Sequence, residues 1–401
     1  KEISERIAQM TLEEKAGLCS GATAWTLKSV ERLGIPSIFV TDGPHGLRKQ
    51  RSDGGFDTVE AVCFPAGCAS ACSFDRALLE QIGAAIAAHC RKEGVHVLLG
   101  PAVNIKRSPL GGRNFEYYSE DPYLAGEMAA AFVQGVQKHG VGTSVKHYLA
   151  NNQETRRQSV SAEVDERTLR EIYMPAFEAA VKKARPWTIM SSYNKINGKY
   201  VSDHKDYLTD VLRGEWGFDG VVMSDWGAVN SRVSNLEAGL DLEMPASGGV
   251  TDRQIVEAVR AGELDEAVLD QAVFRLLKLI DRVTAHTDEV PCDFEAFHEL
   301  ARRAAAESAV LLKNEGNILP LKEGAKVAFI GKYAKEPRFQ GGGSSHVNPY
   351  KVTSALTCAP EGVLFALGFD DDPKKKGKPD EALLKEAVEA AAKADVAVLF
   401  V

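Results

Sequence analysis

The chain has 401 residues, of which 44% are hydrophobic, 26% charged and 7% aromatic. This composition excludes a disordered or fibrous protein, and the absence of an apolar run near ~20 residues argues against a membrane helix. The 56 acidic and 48 basic residues give a net charge of -8, which argues against a nucleic-acid partner. Seven cysteines are an odd number in a chain long enough to fold without disulfides. We therefore expect free thiols and a cytoplasmic protein.

Short apolar runs alternate with amphipathic stretches along the first 285 residues. The predicted strands are 37–40, 95–99, 143–145, 188–190, 221–223 and 240–242, with 64–69 as a weaker candidate. The predicted helices are 75–92, 122–138, 166–184 and 205–216. This alternation is typical of βα units built on a parallel sheet. Because polar side chains follow most of the strands, an α/β fold with a (β/α)8 TIM-like barrel is favoured over a doubly wound open sheet.

The pattern changes after about residue 285. We predict a barrel domain at 1–285, a linker with a connecting helix (294–313) at 286–316, and the first part of an αβα sandwich at 317–401. Strands at 327–330, 363–367 and 396–401 and a helix at 381–394 are expected in the sandwich. Three strands do not complete such a sheet, and the sequence ends inside the third. We therefore expect the rest of the sandwich to follow, in the same chain or in a second one.

A carboxylate follows the apolar run 221–223. Asp225 stands at the predicted end of a buried strand, where an ionised carboxyl group is costly unless it is paired or used. Trp226 follows it, and an aromatic face beside a carboxylate suits a pyranose, whose ring carbon becomes cationic during glycoside cleavage. A structural role, in which Asp225 caps the next helix, stays open from spacing alone.

Further polar side chains stand at other strand ends. Lys146 and His147 are adjacent, and Arg113 follows the second long strand. Such groups suit sugar hydroxyls, because each buried hydroxyl left unpaired costs about 1–3 kcal/mol. Cations at a barrel rim bind phosphate equally well. Asp42 favours the sugar, because a carboxylate repels phosphate but accepts hydrogen bonds from two vicinal hydroxyls; an ordinary turn aspartate is the alternative.

Two further motifs carry weaker signals. The segment GGGSSH at 341–346 lacks the lysine of a phosphate-binding loop, and we expect a mobile loop near the site. Cys63, Cys68 and Cys72 lie in a small, apolar segment that is typical of core packing rather than of a metal centre. We therefore expect no metal and no cofactor.

Seven long motifs occur in a fixed order along nearly the whole chain. They are TDGPHGLR (41–48), GPAVNIKRSPLGGRNFEYYSEDPYLAG (100–126), KHYLANNQETRR (146–157), MSSYNKING (190–198), VVMSDWGAV (221–229), LLKNEGNILPL (311–321) and RFQGGGSSH (338–346). Together they resemble glycoside hydrolase family 3, in its bacterial and yeast β-glucosidase branch. The resemblance implies a barrel followed by an αβα sandwich, and a retaining hydrolase that forms a covalent glycosyl-enzyme.

On matching positions, the resemblance makes Asp225 the nucleophile of a β-glucosidase that releases terminal glucose from β-glucosides or oligosaccharides. The side chains that it places around the terminal sugar are Asp42, Arg48, Arg113, Lys146, His147, Tyr193 and Trp226.

The resemblance also implies a group outside the sequence. The general acid/base of this branch is a glutamate that follows a strand like the one at 396–401, so we expect it after residue 401. A fibronectin-like domain is expected to follow the sandwich. Because retention requires two carboxyl groups about 5 Å apart, the 401 residues alone are expected to bind sugar poorly and to turn it over slowly or not at all.

Three different functions stay open beside a β-glucosidase. NNQETRR after the Lys146-His147 pair differs from the loop of N-acetylglucosaminidases in this family and favours a neutral hexose or pentose, which leaves a β-xylosidase open. Lys146 at a strand end leaves a Schiff-base aldolase open. The missing acid leaves a non-catalytic sugar-binding fragment open, and a homo-oligomer is compatible with all of these.

Overall fold

A computed structural model of the protein describes residues 2–51, 57–371 and 379–401. It divides into two units, which are residues Lys1–Ala309 with Gln340–Tyr350, and residues Val310–Phe339 with Lys351–Val401. Segment 340–350 thus belongs to the first unit, although the chain on both of its sides belongs to the second. The domain borders expected at 285 and 316 stay a prediction.

The helices begin and end as follows. The α-helices are α1 Ile3–Gln9, α2 Leu12–Leu18, α3 Gly67–Ser70, α4 Arg76–Lys92, α5 Pro122–Gln137, α6 Glu166–Thr168, α7 Pro175–Ala184, α8 Arg232–Ala238, α9 Val250–Ala261, α10 Glu266–Thr284, α11 Phe294–Glu307 and α12 Glu381–Ala392. Residues Leu169–Tyr173 and Asp206–Glu215 are π-helical. Turns of 3-10 helix occupy Glu31–Leu33, Ala71–Ser73, Val201–Asp203, Glu315–Asn317, Lys332–Ala334 and Gly343–Ser345.

The strands are mostly short. They are β1 Val40–Asp42, β2 Glu60–Ala61, β3 Val97–Leu99, β4 Gly142–Tyr148, β5 Ser161–Ala162, β6 Thr188–Ser191, β7 Lys195–Ile196, β8 Lys199–Tyr200, β9 Val221–Ser224, β10 Val327–Ile330, β11 Asn348–Pro349, β12 Leu364–Ala366 and β13 Val396–Leu399.

The first unit is built on a parallel sheet with the strand order β1-β3-β4-β6-β9. Thr188 of β6 is opposite Val221 of β9, and the two strands stay in register through Ser191 and Ser224. The β1, β4, β6 and β9 residues are buried, as expected for strands covered on both faces. Since the strands are parallel, the residues at their carboxyl ends meet at one edge.

N-cap residues mark the first turns of several helices in this unit. The Thr11 hydroxyl accepts a hydrogen bond from the Glu14 backbone, and the Thr11 backbone donates to the Glu14 side chain, which forms a capping box at the start of α2. Asp75 caps α4. Asp121 caps α5, with Pro122 in the first turn, where no helical N–H is needed. These caps set the residues at which α2, α4 and α5 begin.

Several predicted elements differ in detail from the structure. Residues 240–242 form no strand, and Leu242 makes only an isolated parallel bridge with Met223. Residues 64–69 contain the start of the short helix α3 instead of a strand, because small residues let the backbone of Gly67 approach that of Glu116. The helix predicted at 294–313 ends at Glu307, where Ser308 bonds back to the Ala304 carbonyl.

The helix predicted at 166–184 is interrupted. It consists of α6, the π-helical turn Leu169–Tyr173 and α7. Pro175 begins α7, and a proline inside a helix removes an N–H donor and disturbs the preceding turn.

The second unit is a three-stranded parallel sheet with the order β12-β10-β13. Its strands and α12 lie at the predicted positions, with ends that differ by one or two residues. Several of its apolar side chains are nevertheless exposed, among them Leu384 and Val388 of α12 and Leu399 of β13. Of the residues of α12, Ala387 is buried. This unit therefore leaves apolar faces uncovered.

Three further findings concern the described residues. Within them, no helix has the length and apolar character needed to cross a membrane. No group of three or more His, Cys, Asp or Glu side chains in this part of the chain could hold a metal ion. All seven cysteines are unpaired, in agreement with the expectation of free thiols.

Candidate active site

One cavity of about 280 Å³ opens in the first unit at the carboxyl ends of the strands. Its lining residues are Trp25, Asp42, Arg48, Arg113, Lys146, His147, Arg157, Met190, Tyr193, Asp225, Trp226 and Ser344. All eight side chains singled out from the sequence are among them. The structure thus brings together residues that are up to 184 positions apart in the chain, from 42 to 226.

Asp225 directly follows β9 and is 8% exposed. Its Oδ1 accepts a hydrogen bond of 2.7 Å from the Trp226 backbone N–H, whereas its Oδ2 has no hydrogen-bond partner in the described part of the chain. Burial raises the pKa of the Asp225 carboxyl, although Arg113, the Trp226 N–H, Lys146 and the Tyr193 hydroxyl counteract this. Asp225 is therefore a buried carboxylate with one oxygen left unsatisfied.

His147 lies beside this free oxygen, with 3.7 Å between its Nε2 and Asp225 Oδ2. Burial and the neighbouring cations, first Arg113, hold the pKa of His147 well below its ordinary value, so the imidazole is neutral. The hydroxyl of Tyr117 lies 3.2 Å from Nδ1. Asn104 Oδ1, which accepts hydrogen bonds, lies 3.3 Å from the same Nδ1. His147 is therefore a neutral ring beside the free oxygen of Asp225, held at Nδ1 by contacts with Tyr117 and Asn104.

Asp42 ends β1 and has a different environment. Its Oδ1 accepts a hydrogen bond of 3.0 Å from Lys146 Nζ, and its Oδ2 lies 4.0 Å from Arg48 Nη1. Both Asp42 and Lys146 are buried. Because truncation of either partner would leave an unpaired charge inside the protein, this ion pair fixes both side chains at the cavity wall.

Aromatic side chains form another part of the wall. The ring centroids of Trp25 and Trp226 are 5.3 Å apart, and the Trp226 indole N–H donates to the Ala24 carbonyl at 2.8 Å. Tyr193 donates to the Trp226 carbonyl at 2.8 Å, and the Arg157 guanidinium lies 4.6 Å from the centre of the Tyr193 ring. An apolar surface beside charged groups suits a ligand that has both C–H faces and hydroxyls.

Sequence reasoning missed four lining residues, which are Trp25, Arg157, Met190 and Ser344. Arg157 and Met190 lie within two of the long family motifs. The motifs therefore point to these positions, but the sequence does not indicate that their side chains face the cavity. Ser344 belongs to GGGSSH, and its position agrees with the expected loop near the site. Trp25 had no sequence signal beyond being a tryptophan in a short loop.

Comparison with known proteins places this site in a family. The profile described as "Glycosyl hydrolase family 3 N terminal domain" matches residues 10–279, and that of the family's C-terminal domain matches residues 309–401. The chain belongs to glycosyl hydrolase family 3. The resemblance recognised in the motifs is confirmed.

Individual members of family 3 are similar over the whole chain. It is 54% identical to thermostable beta-glucosidase B of Acetivibrio thermocellus over 100% of its length, and 51% identical to the exo-alpha-(1->6)-L-arabinopyranosidase of Bifidobacterium longum over 98%. It spans about half of these relatives, 54% of each. The solved structure of beta-glucosidase 3B from Thermotoga neapolitana in complex with alpha-D-glucose is 39% identical, with a TM-score of 0.90 over 100% of this chain and 62% of that one.

Proposed function

We propose that this chain carries the sugar-binding site and nucleophile of a retaining β-glucosidase, which releases terminal glucose from β-glucosides. The observation that carries the proposal is the position of Asp225, a buried carboxylate with a free oxygen in a cavity lined by hydrogen-bonding side chains. Beta-glucosidases are among the relatives, one of them solved with glucose. A glycosyl-enzyme forms when Asp225 attacks the anomeric carbon and the bond to the aglycone oxygen breaks.

The surroundings of Asp225 support this role. A nucleophilic carboxylate must be ionised, and four neighbouring groups offset the burial that raises its pKa. Neutral His147 lies beside the carboxylate without neutralising it by ion pairing. The negative charge then faces the ring carbon, where positive charge develops in the oxocarbenium-like transition state.

The remaining wall residues suit the hydroxyls of the sugar. Asp42 offers carboxylate acceptors, and Lys146, Arg113 and Arg48 offer charged donors from different directions. Hydrogen bonds to charged groups are worth about 1.5–3 kcal/mol each. We propose that these side chains, with Tyr193 and Trp226, hold the terminal sugar, which needs neither a metal nor a cofactor.

We propose that the general acid/base is a glutamate outside the 401 residues. Among the residues that line the cavity in the described part of the chain, Asp42 and Asp225 carry the carboxyl groups. Asp42 already accepts a hydrogen bond of 3.0 Å from Lys146 and is placed among the groups that bind the sugar. The exposed apolar side chains of the second unit support further strands and helices that complete an αβα sandwich there.

The fold proposed for the first unit is a (β/α)8-like barrel. The parallel bridges Met223–Leu242 and Ser20–Glu243 extend the sheet beyond β9, and the antiparallel bridges Gly21–Leu27 and Thr26–Phe39 lead back to the start of β1. Together with the five strands they trace a ring of eight segments, which supports closure. The unpaired cysteines support a reducing, cytoplasmic compartment.

A pentose is the second candidate substrate, because a relative at 51% identity is named an arabinopyranosidase. The decisive assay offers the full-length protein an aryl β-glucoside, β-xyloside and α-L-arabinopyranoside. We expect fastest hydrolysis of the glucoside, with β-glucose as the first product in an NMR time course. Faster hydrolysis of a pentoside would reassign the substrate.

Two companion measurements separate a glycosidase from a sugar-binding protein and from an aldolase. Calorimetric glucose binding without turnover of any activated aryl glycoside by the full-length protein would indicate a sugar-binding protein. Borohydride trapping of a keto substrate on Lys146 would indicate an aldolase. Restored cleavage when the residues after position 401 are supplied to an inactive 401-residue chain would support the missing acid/base.

A further inference from the structure

A buried glutamate lies directly behind Arg113. Glu116 is 2% exposed and follows Arg113 by three residues. Its backbone N–H donates to the Arg113 carbonyl at 3.1 Å, a turn that brings the two side chains together. Arg113 Nε then donates a hydrogen bond to Glu116 Oε1. Charge-assisted bonds of this kind are about twice as strong as neutral ones.

This contact leaves the far end of the guanidinium free. Within the described part of the chain, Arg113 donates hydrogen bonds through Nε alone, so its two terminal amino groups remain available to the cavity that it lines. Held at Nε, the planar group has one remaining direction in which to point.

The second oxygen of Glu116 is also held. Ser345 Oγ donates to Glu116 Oε2 at 2.7 Å, and Ser345 is buried. Gln340 and Val347 exchange two hydrogen bonds of 2.9 Å, and β11 pairs with β2. Segment 340–350 is thereby anchored in the first unit, and it places Ser345 on Glu116.

Charges explain why this carboxylate matters. Although burial opposes it, Arg113, Lys146 and Ser345 hold the pKa of Glu116 below its ordinary value, so Glu116 is ionised. Glu116 and Asp225 both act on Arg113, which therefore lies between two carboxylates. If Glu116 lost its charge, Asp225 would remain to attract the guanidinium. An ion pair between Arg113 and Asp225 would occupy the sugar site.

We propose that Glu116 is a positioning residue of this site, which holds Arg113 through Nε and keeps it from pairing with Asp225, while Ser345 fixes Glu116. The proposal rests on the proposed function in one respect, that Arg113 binds a sugar hydroxyl. It makes segment 340–350 part of the sugar-binding machinery through a residue that lies behind the cavity wall.

The test compares Glu116→Gln and Ser345→Ala with a matched control, Glu127→Gln. Glu127 is also a buried glutamate with two cationic partners, Arg76 and Lys183, but it belongs to α5. The full-length proteins are crystallised without sugar. They are also trapped with a dinitrophenyl 2-deoxy-2-fluoro-β-glucoside over a range of pH, which gives a half-saturation constant and a limiting rate.

We expect Arg113 to turn towards Asp225 in the Glu116→Gln crystal. The half-saturation constant should rise roughly tenfold to a hundredfold in Glu116→Gln, because the charge that holds Arg113 is lost. It should rise about threefold to tenfold in Ser345→Ala, because Glu116 keeps its charge and loses one of the hydrogen bonds that fix it. The acid limb of the limiting rate should move to lower pH in Glu116→Gln, since Asp225 gains a cation. Glu127→Gln should lower the thermal midpoint of unfolding, but it should change neither the position of Arg113, nor the half-saturation constant, nor the acid limb.

Arg113 in its original place, or unchanged half-saturation constants in both variants, would overturn the proposal. If Glu116→Gln does not fold, the same two measurements on Ser345→Ala decide. If the wild type is not trapped at all, the proposed function fails, and the position of Arg113 in the Glu116→Gln crystal still decides whether Glu116 holds it.

Discussion

A buried aspartate lies at the end of β1 and another directly after β9, and both line the same cavity. The two carboxyl groups differ in the partners that the protein gives them. Asp42 has an ammonium group at 3.0 Å, whereas the free oxygen of Asp225 has a neutral imidazole at 3.7 Å. The first carboxylate is satisfied by the protein itself. The second keeps an oxygen that no described residue satisfies. The carboxylate that we propose as the nucleophile therefore differs from Asp42 in lacking a cationic hydrogen-bond partner in the part of the chain that the structure describes.

The largest expected effect separates the two in chemistry. Asp225→Asn should lower kcat for an aryl β-glucoside in the full-length protein by at least roughly a thousandfold, because the amide cannot form the glycosyl-enzyme. Urea unfolding should show no loss of stability, since a buried charge that lacks a close cation is removed. A variant that keeps its activity would show that Asp225 is not the nucleophile.

The second largest expected effect is a difference in stability between the variants of Asp42 and Asp225. Asp42→Asn should cost about 3 kcal/mol of unfolding free energy, because the buried ammonium of Lys146 loses its partner. It should also weaken glucose binding in calorimetry. The double variant Asp42→Asn/Lys146→Met is the control: it should recover much of the stability but not the binding. Equal stability of Asp42→Asn and Asp225→Asn would break the comparison.

The smallest effect concerns the ionisation of Asp225. Its pKa lies above the ordinary 3.8, and a protonated carboxyl cannot attack, so the trapping rate should rise with pH through that raised pKa. The Tyr193 hydroxyl lowers this pKa. Tyr193→Phe should therefore move the acid limb to higher pH, with a loss of rate of about fivefold or less at neutral pH. An acid limb that moves to lower pH would contradict this account.

Much of the site could be predicted because it lies at strand ends. A buried parallel strand is a short apolar run, and the polar residue that follows it must lie at one edge of the sheet. Asp42, Lys146 and Asp225 were found in this way, and the motifs of the family supplied the roles that we propose for them. The helices with strong caps, such as α4 and α5, were placed to within a residue.

What the sequence could not predict depends on distant contacts. Trp25 reaches the cavity because it packs on Trp226, about 200 residues later. Ser344 lines it because segment 340–350 returns to the first unit and pairs with β2. The apolar run 240–242 has the pattern of a strand, yet Leu242 and the adjacent Glu243 make isolated bridges in place of a ladder. In each case the local sequence pattern does not indicate which distant residue the segment contacts.

The central claim, that Asp225 bonds to the anomeric carbon, is tested most directly by locating the covalent label. The protein is trapped with the 2-deoxy-2-fluoro-β-glucoside, digested and mapped by mass spectrometry. We expect the fluoroglucosyl group on Asp225, and no label in Asp225→Asn. A label on Asp42 or Lys146, or an unlabelled full-length protein that nevertheless hydrolyses the parent glucoside, would contradict the claim.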